Sequence, residues 1–194
     1  MKILTIVFYG LIIFTSCNPC EKYKNEIYEK NSFAGNNFDS LGMVRMKLRL
    51  IDYNEPAMDT INYESYRLTH SIILEDTLHI IRIENDHSNY RFIHKKLLKN
   101  HQASASIIET IEKKLFPDEW EKFKTVLYQN HYWIMPKEID RYGLDGAVLT
   151  IEGRRPNAEI CGKRSYHLVS RWSPKKGEFQ NLCHKFYEII GEKE

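Results

Sequence analysis

Four side chains in the C-terminal third have the types that acid and base chemistry requires: the carboxylates of Asp145 and Glu152, the imidazole of His167 and the guanidinium of Arg171. A carboxylate and an imidazole within hydrogen-bond reach can trade a proton, and a forked guanidinium beside them can hold an anionic or sugar-like ligand. They converge if 147–152 and 165–172 pair as an antiparallel hairpin across 153–164, with opposite residue numbers summing to about 317. That register sets Thr150 beside His167 and Gly146 beside Arg171, with Asp145 in reach of Arg171. Alternation then puts Glu152, His167 and Arg171 on one face. The other, apolar face receives Ala147, Leu149, Ile151, Tyr166, Leu168, Ser170 and Trp172. The competing reading is structural: Asp145 and Arg171 close the hairpin as an ion pair, Asp145-Gly146 forms a turn and Trp172 fills the core. Structure carries the greater weight, because a strand histidine packs more often than it reacts and a register slip separates the group.

The elements that must position these residues follow from periodicity. Val44, Met46, Leu48 and Leu50 alternate with Arg45, Lys47 and Arg49, which predicts a half-buried strand over 43–51. Further β-rich runs occupy 63–73, 78–84 and 90–98, with a turn at 86–89. Ser106 to Glu109 fits a capping box, and Ile107, Ile108, Ile111 and Leu115 recur at helical spacing, so a helix is expected over 106–115. A second helix opens near Pro117-Asp118, with Trp120, Phe123, Val126 and Leu127 on one stripe, and ends before Pro136. Strands at 147–152 and 165–172 follow. A closing helix carries Phe179, Leu182, Cys183, Phe186 and Ile190, and Gly191 ends it. The order predicts an α+β fold: an antiparallel sheet of about six strands with two or three helices packed on one face.

Composition bounds the class. The chain has 194 residues, 42% hydrophobic and 28% charged, with a formal net charge of +2, the profile of one globular domain rather than of a disordered or nucleic-acid-binding chain. Lys2, the apolar run 3–14 and the small residues Thr15-Ser16 have the layout of an export leader over 1–16. The twelve residues 3–14 rise about 18 Å as a helix, short of a bilayer core of about 30 Å. A buried N-terminal helix is the alternative. Residues 17–40 read as a polar tether and 41–194 as one globular domain.

The run Phe14-Thr15-Ser16-Cys17 resembles the lipobox of bacterial lipoproteins. The resemblance implies diacylglycerol on Cys17 and membrane attachment through that lipid. Asn18 after the cysteine, where aspartate is associated with inner-membrane retention, favours the outer membrane. Export permits disulfides, and with Cys17 lipidated, Cys161 and Cys183 are the pair expected to bridge within the domain, while Cys20 stays near the anchor. Two reduced buried thiols are the alternative, and a metal site is weaker because no close-spaced second ligand pair accompanies them.

The elements Gly143-Leu144-Asp145-Gly146, Ile151-Glu152-Gly153, Tyr166-His167 and Arg171-Trp172-Ser173-Pro174 resemble a family of uncharacterised bacterial lipoproteins sharing GLDG, IEG, YH and RWSP. The resemblance covers about 30 residues and implies a fold and an address without a reaction. The eight histidines never fall at metal-ligand spacing, no cofactor is indicated, and GxSxG, P-loop and GxGxxG motifs do not occur. Tyr128, Tyr132 and Trp133 have the types of a glycan platform, with core packing the stronger alternative. The first expectation is a non-catalytic envelope lipoprotein that binds a protein partner or a small ligand. The alternatives are an envelope hydrolase using Asp145, Glu152 or His167, and an inhibitor or immunity-type protein.

Overall fold

Alternation of apolar residues along each run builds one antiparallel sheet, because period-2 side chains present a single apolar face to a covering layer. The computed structural model describes residues 50, 53–72, 74–99, 106–137, 146–156 and 166–191. Its strands are β1 (Glu64–Ile72), β2 (Thr77–Asp86), β3 (Asn89–Leu98), β4 (Ser106–Lys114), β5 (Ala147–Arg154) and β6 (Tyr166–Trp172). They lie in the order β4-β3-β2-β1-β5-β6, every neighbour antiparallel. Helices α1 (Pro117–Gln129) and α2 (Glu178–Ile190) complete the α+β fold expected from the element order.

Helix α1 starts where Pro117 suits a first-turn position, and the Glu119 carboxylate accepts from the Phe116 amide at 2.8 Å. Its stripe of Trp120, Phe123 and Leu127 is buried, as is the α2 stripe of Phe179, Leu182, Cys183 and Phe186. Gly191 ends α2 in the left-handed region, φ 85°, where glycine carries no Cβ penalty. These stripes meet Tyr66, Leu68, Ile81, Ile83, Phe92, Ile151 and Val169 on one face of the sheet. The Tyr66 ring sits at the centre, 5.4 Å from Phe123 and 6.1 Å from both Trp120 and Tyr132.

Two expectations change. Residues 106–114 form strand β4, not a helix, pairing with β3 from Arg91↔Lys114 to Leu98↔Ser106 with an irregularity at Lys96/Leu97. Every β4 residue is exposed, so burial on one face did not impress a period of two on its sequence. The isoleucine spacing that mimics a helix belongs to β-branched residues that suit a strand equally well. The strand expected over 43–51 lies outside the described residues except for Leu50. That residue is helical and buried, and its carbonyl accepts from the amides of Tyr53 at 3.2 Å and Glu55 at 2.9 Å. The leader 1–16, the tether 17–40, Cys17, Cys20, Asp145 and Cys161 also lie outside the described residues.

Candidate functional site

The hairpin that was expected to gather the acid–base group exists, but in another register. β5 and β6 pair as Val148↔Trp172, Leu149↔Arg171, Thr150↔Ser170, Ile151↔Val169, Glu152↔Leu168 and Gly153↔His167. Opposite residues sum to 320, an odd shift from the expected 317, and an odd shift exchanges faces on one strand relative to the other. His167 and Arg171 therefore share the helix-covered face with Leu149 and Ile151. Glu152 lies on the opposite face with Tyr166, Leu168, Ser170 and Trp172. The expected constellation of Glu152, His167 and Arg171 does not come together.

Each member is committed locally. Glu152 is 2% exposed; its Oε2 accepts from Arg67 Nε at 2.9 Å and its Oε1 from the Tyr166 hydroxyl at 2.8 Å. Burial and the Glu152 carboxylate raise the Tyr166 phenol. Arg171 stacks on Phe179 at 5.4 Å and donates to main-chain carbonyls, to Ser170 and Pro136 at 2.7 Å each and to Lys137 at 3.3 Å. His167 packs against the Tyr132 and Trp133 rings at 5.2 and 6.3 Å. Burial pushes its imidazole down to about 4, and Lys137 and Arg171 add in the same direction. The imidazole is thus neutral across the physiological range.

The sequence elements around Gly146, Gly153, Tyr166-His167 and Arg171–Pro174 act on the fold where they are described. Gly146 has φ 135°, and a Cβ there would stand 3.2 Å from the Trp172 ring and closer still to Ser173 Oγ. Ser173 closes the hairpin through the Ala147 amide, which donates to its Oγ at 3.0 Å, and through its own amide, which donates to the Ala147 carbonyl at 2.7 Å. A Cβ on Gly153 would meet Tyr132 Cε1 at 2.7 Å, so this glycine makes room for the ring. The Tyr132 hydroxyl donates to the His167 carbonyl at 2.8 Å. Of the three aromatic residues weighed as a platform, Tyr132 is core, whereas Tyr128 and Trp133 flank the Arg155 guanidinium at 5.6 and 5.7 Å. Cys183 is buried in the α2 stripe, and its expected disulfide partner lies outside the described residues.

The sequence reading missed the largest electrostatic feature, which lies on the second face of the sheet. Glu55, Glu84 and Glu152 are buried with Arg67, Arg82 and Lys95, equal numbers of each sign. Glu55 reaches from the segment before β1 to Lys95 at 2.7 Å, Arg82 at 3.2 Å and Arg67 at 3.6 Å. Arg82 and Arg91 hold Glu84, and Arg67 Nη1 donates to the Pro56 carbonyl at 2.8 Å. Lys95 ties down the Tyr53 and Asn54 carbonyls at 3.0 and 2.9 Å. Charges alternating along a strand read as a solvated face, yet here residues 53–58 fold over them. A close match of charge lets such a network be buried at all. Its groups face one another at ion-pair distance.

A cleft of about 400 Å³ opens at one end of the sheet, lined among others by Tyr63, Glu64, Asn85, His87 and Arg155. Arg155 is held there by Glu64 at 3.4 Å, and Glu64 in turn accepts from the Tyr66 hydroxyl at 2.7 Å. Among the described residues no three His, Cys, Asp or Glu side chains gather as a metal site, and no helix is long and apolar enough to cross a membrane.

The sheet edges differ sharply. On the β6 edge, the Ser170 amide donates to the Lys137 carbonyl at 2.7 Å and Arg171 clamps Pro136, so the neighbouring segment covers it. β4 pairs only with β3 among the described residues and is exposed at all nine positions, including Ile107 at 44%, Ile108 at 55% and Ile111 at 37%. The Leu115 amide donates to Tyr90 on β3 at 3.0 Å, which sets the alternation. Glu109, Ile111 and Lys113 turn their main-chain groups to β3, while Thr110, Glu112 and Lys114 turn theirs outward. An edge that no described residue pairs, carrying three exposed isoleucines, is a template for another strand. No protein-family model, curated protein or solved structure matches this chain.

Proposed function

We propose that this chain is an envelope lipoprotein, anchored through Cys17 and facing from the outer membrane, that works without a reaction of its own by binding a protein partner along β4. The β4 edge, which pairs only with β3 among the described residues, carries the reading: its outward main-chain donors and acceptors stand beside exposed isoleucine side chains. Strand addition uses these features, since the main chain supplies affinity and alternate side chains supply selectivity. The commitment of Glu152 to Arg67 and Tyr166, and the separation of His167 onto the other face, support a binding role over hydrolysis. The leader and the resemblance of 14–17 to a lipobox support the address. Residues 17–40 serve as the tether that holds the domain off the bilayer, and the family resemblance in 143–174 is consistent with that assignment.

A photo-crosslinking residue placed at Ile108 in the full lipidated chain tests this reading in native envelopes. A discrete adduct is expected, lost when Thr110→Pro removes an outward amide without touching the β3 ladder. The same probe at Leu74, 80% exposed beyond the end of β1, is expected to give none. Cys17→Ala is expected to move the protein out of the membrane fraction and to abolish the adduct. Equal adducts at Ile108 and Leu74, or an adduct indifferent to Thr110→Pro, would remove the edge from the account.

A further inference from the structure

Resting on the reading of β4 as a strand-adding edge, we propose that the partner is a second copy of this chain, its β4 antiparallel to the first about a two-fold axis through Ile111. The two sheets then run on as one of twelve strands, because the sheet has six and β4 stands at its end. Closed two-fold pairing of one patch with itself is the commonest way for a chain to form a homo-oligomer.

Charge selects the register. A two-fold pairing of β4 must centre on a residue of the strand, and the available centres differ in what they oppose. Centred on Glu109 or Glu112, two copies of the same carboxylate face each other. Centred on Thr110, Glu109 meets Ile111, Glu112 meets Ile108, Lys113 meets Ile107 and Lys114 meets Ser106, so no charge meets an opposite charge. Centred on Ile111, Glu109 meets Lys113 twice, Thr110 meets Glu112 twice and Ile111 meets itself. Opposite charges directly across a pair stabilise it and like charges oppose it.

The main chain agrees with that choice. The outward groups belong to Thr110, Glu112 and Lys114, so the two Thr110–Glu112 pairs exchange hydrogen bonds while Ile111 and the Glu109–Lys113 pairs occupy non-hydrogen-bonded positions. Those positions bring side chains closest, which suits an isoleucine pair flanked by two ion pairs. Lys113 already lies 5.9 Å over the Phe92 ring and 3.7 Å from Glu119, so its ammonium is held on the helix-covered face, where the second copy's Glu109 arrives. Anchoring both copies in one membrane raises their effective concentration, so a short strand pair suffices for association.

The test is oxidative cross-linking of the full-length chain in its membrane with Ile111→Cys, beside the wild type and Thr110→Cys. Facing Cβ atoms at a non-hydrogen-bonded pair lie about 4.5–5.5 Å apart, close to the reach of a disulfide. A covalent dimer is expected for Ile111→Cys, several-fold above the wild-type background, with Thr110→Cys at background because its side chain points to the other face and opposes Glu112. The dimer is expected to disappear in the Ile111→Cys, Thr110→Pro double variant. If Ile111→Cys stays monomeric while the Ile108 probe still gives an adduct to a different protein, the second copy is wrong and the edge reading survives. If neither position gives any adduct, both fall.

Discussion

Arg67→Met is expected to cost about 3–5 kcal/mol of unfolding free energy, the usual consequence of removing one partner from a buried ion pair. Arg67 and Glu152 are 1% and 2% exposed and lie directly opposite on β1 and β5. Losing the guanidinium leaves Glu152 with the Tyr166 hydroxyl alone and leaves the Pro56 carbonyl without its donor. Glu55 keeps Arg82 and Lys95, so the damage concentrates at Glu152. Urea unfolding at neutral pH checks the number. The Arg67→Met, Glu152→Leu double variant is expected to regain much of the loss, because no uncompensated carboxylate remains buried. A loss below about 1 kcal/mol for the single variant would match a solvated pair instead.

The second large effect concerns acid. The folded protein holds the His167 imidazole near 4, against an ordinary value of about 6.5 in an unfolded chain. The unfolded chain therefore binds the extra proton between those values, and stability rises with pH across that window. The contribution is fully present above about pH 6.5 and is lost as the pH falls through about 4, the loss amounting to about 3 kcal/mol there. Between pH 7 and pH 5 the expected loss is about 2 kcal/mol. His167→Phe keeps an aromatic ring against Tyr132 and removes the titration, so its urea midpoint is expected to fall less over that interval than the wild type's. His70, also lowered by burial with the neighbouring His79 adding to it, acts in the same direction in both proteins and cancels in the comparison. Parallel pH dependences would mean that the His167 ring is solvated.

Most of the fold was legible because its elements obey one period each. β1, β2, β3, β5 and β6 alternate, and α1 and α2 carry stripes, so apolar spacing located them to within a few residues. β4 was misread because both its faces are exposed, which leaves no burial pattern to read, while Ile107, Ile108 and Ile111 fall by chance at helical spacing. The β5–β6 register failed for a related reason. The loop between the strands is long, and no short turn type fixes which residues oppose each other. An error of three residues was enough to place Glu152 with His167 and Arg171, when the sheet itself separates them.

The buried charges were legible only in part. Arg67, Arg82 and Glu84 stand at alternate positions that a sequence alone assigns to solvent, and only the chain folding back with Glu55 over the sheet reverses that assignment. The hint available was the balance of signs once Glu55, Lys95 and Glu152 are counted with them, which an exposed face does not require. Gly146 and Gly153 stand beside the candidate site residues Asp145 and Glu152 in the sequence. The first owes its place to a left-handed backbone and the second to the Tyr132 ring.

Amide exchange along β4 in the membrane-anchored protein, read residue by residue, tests the central claim most directly. An edge with nothing on it leaves the outward amides of Thr110, Glu112 and Lys114 fast and the inward amides of Glu109, Ile111 and Lys113 slow. The account predicts slow exchange at Thr110 and Glu112 in the envelope, as slow as at Ile111, and a return to alternation in Thr110→Pro at the remaining outward amides. Alternating fast and slow amides in the native envelope would contradict it.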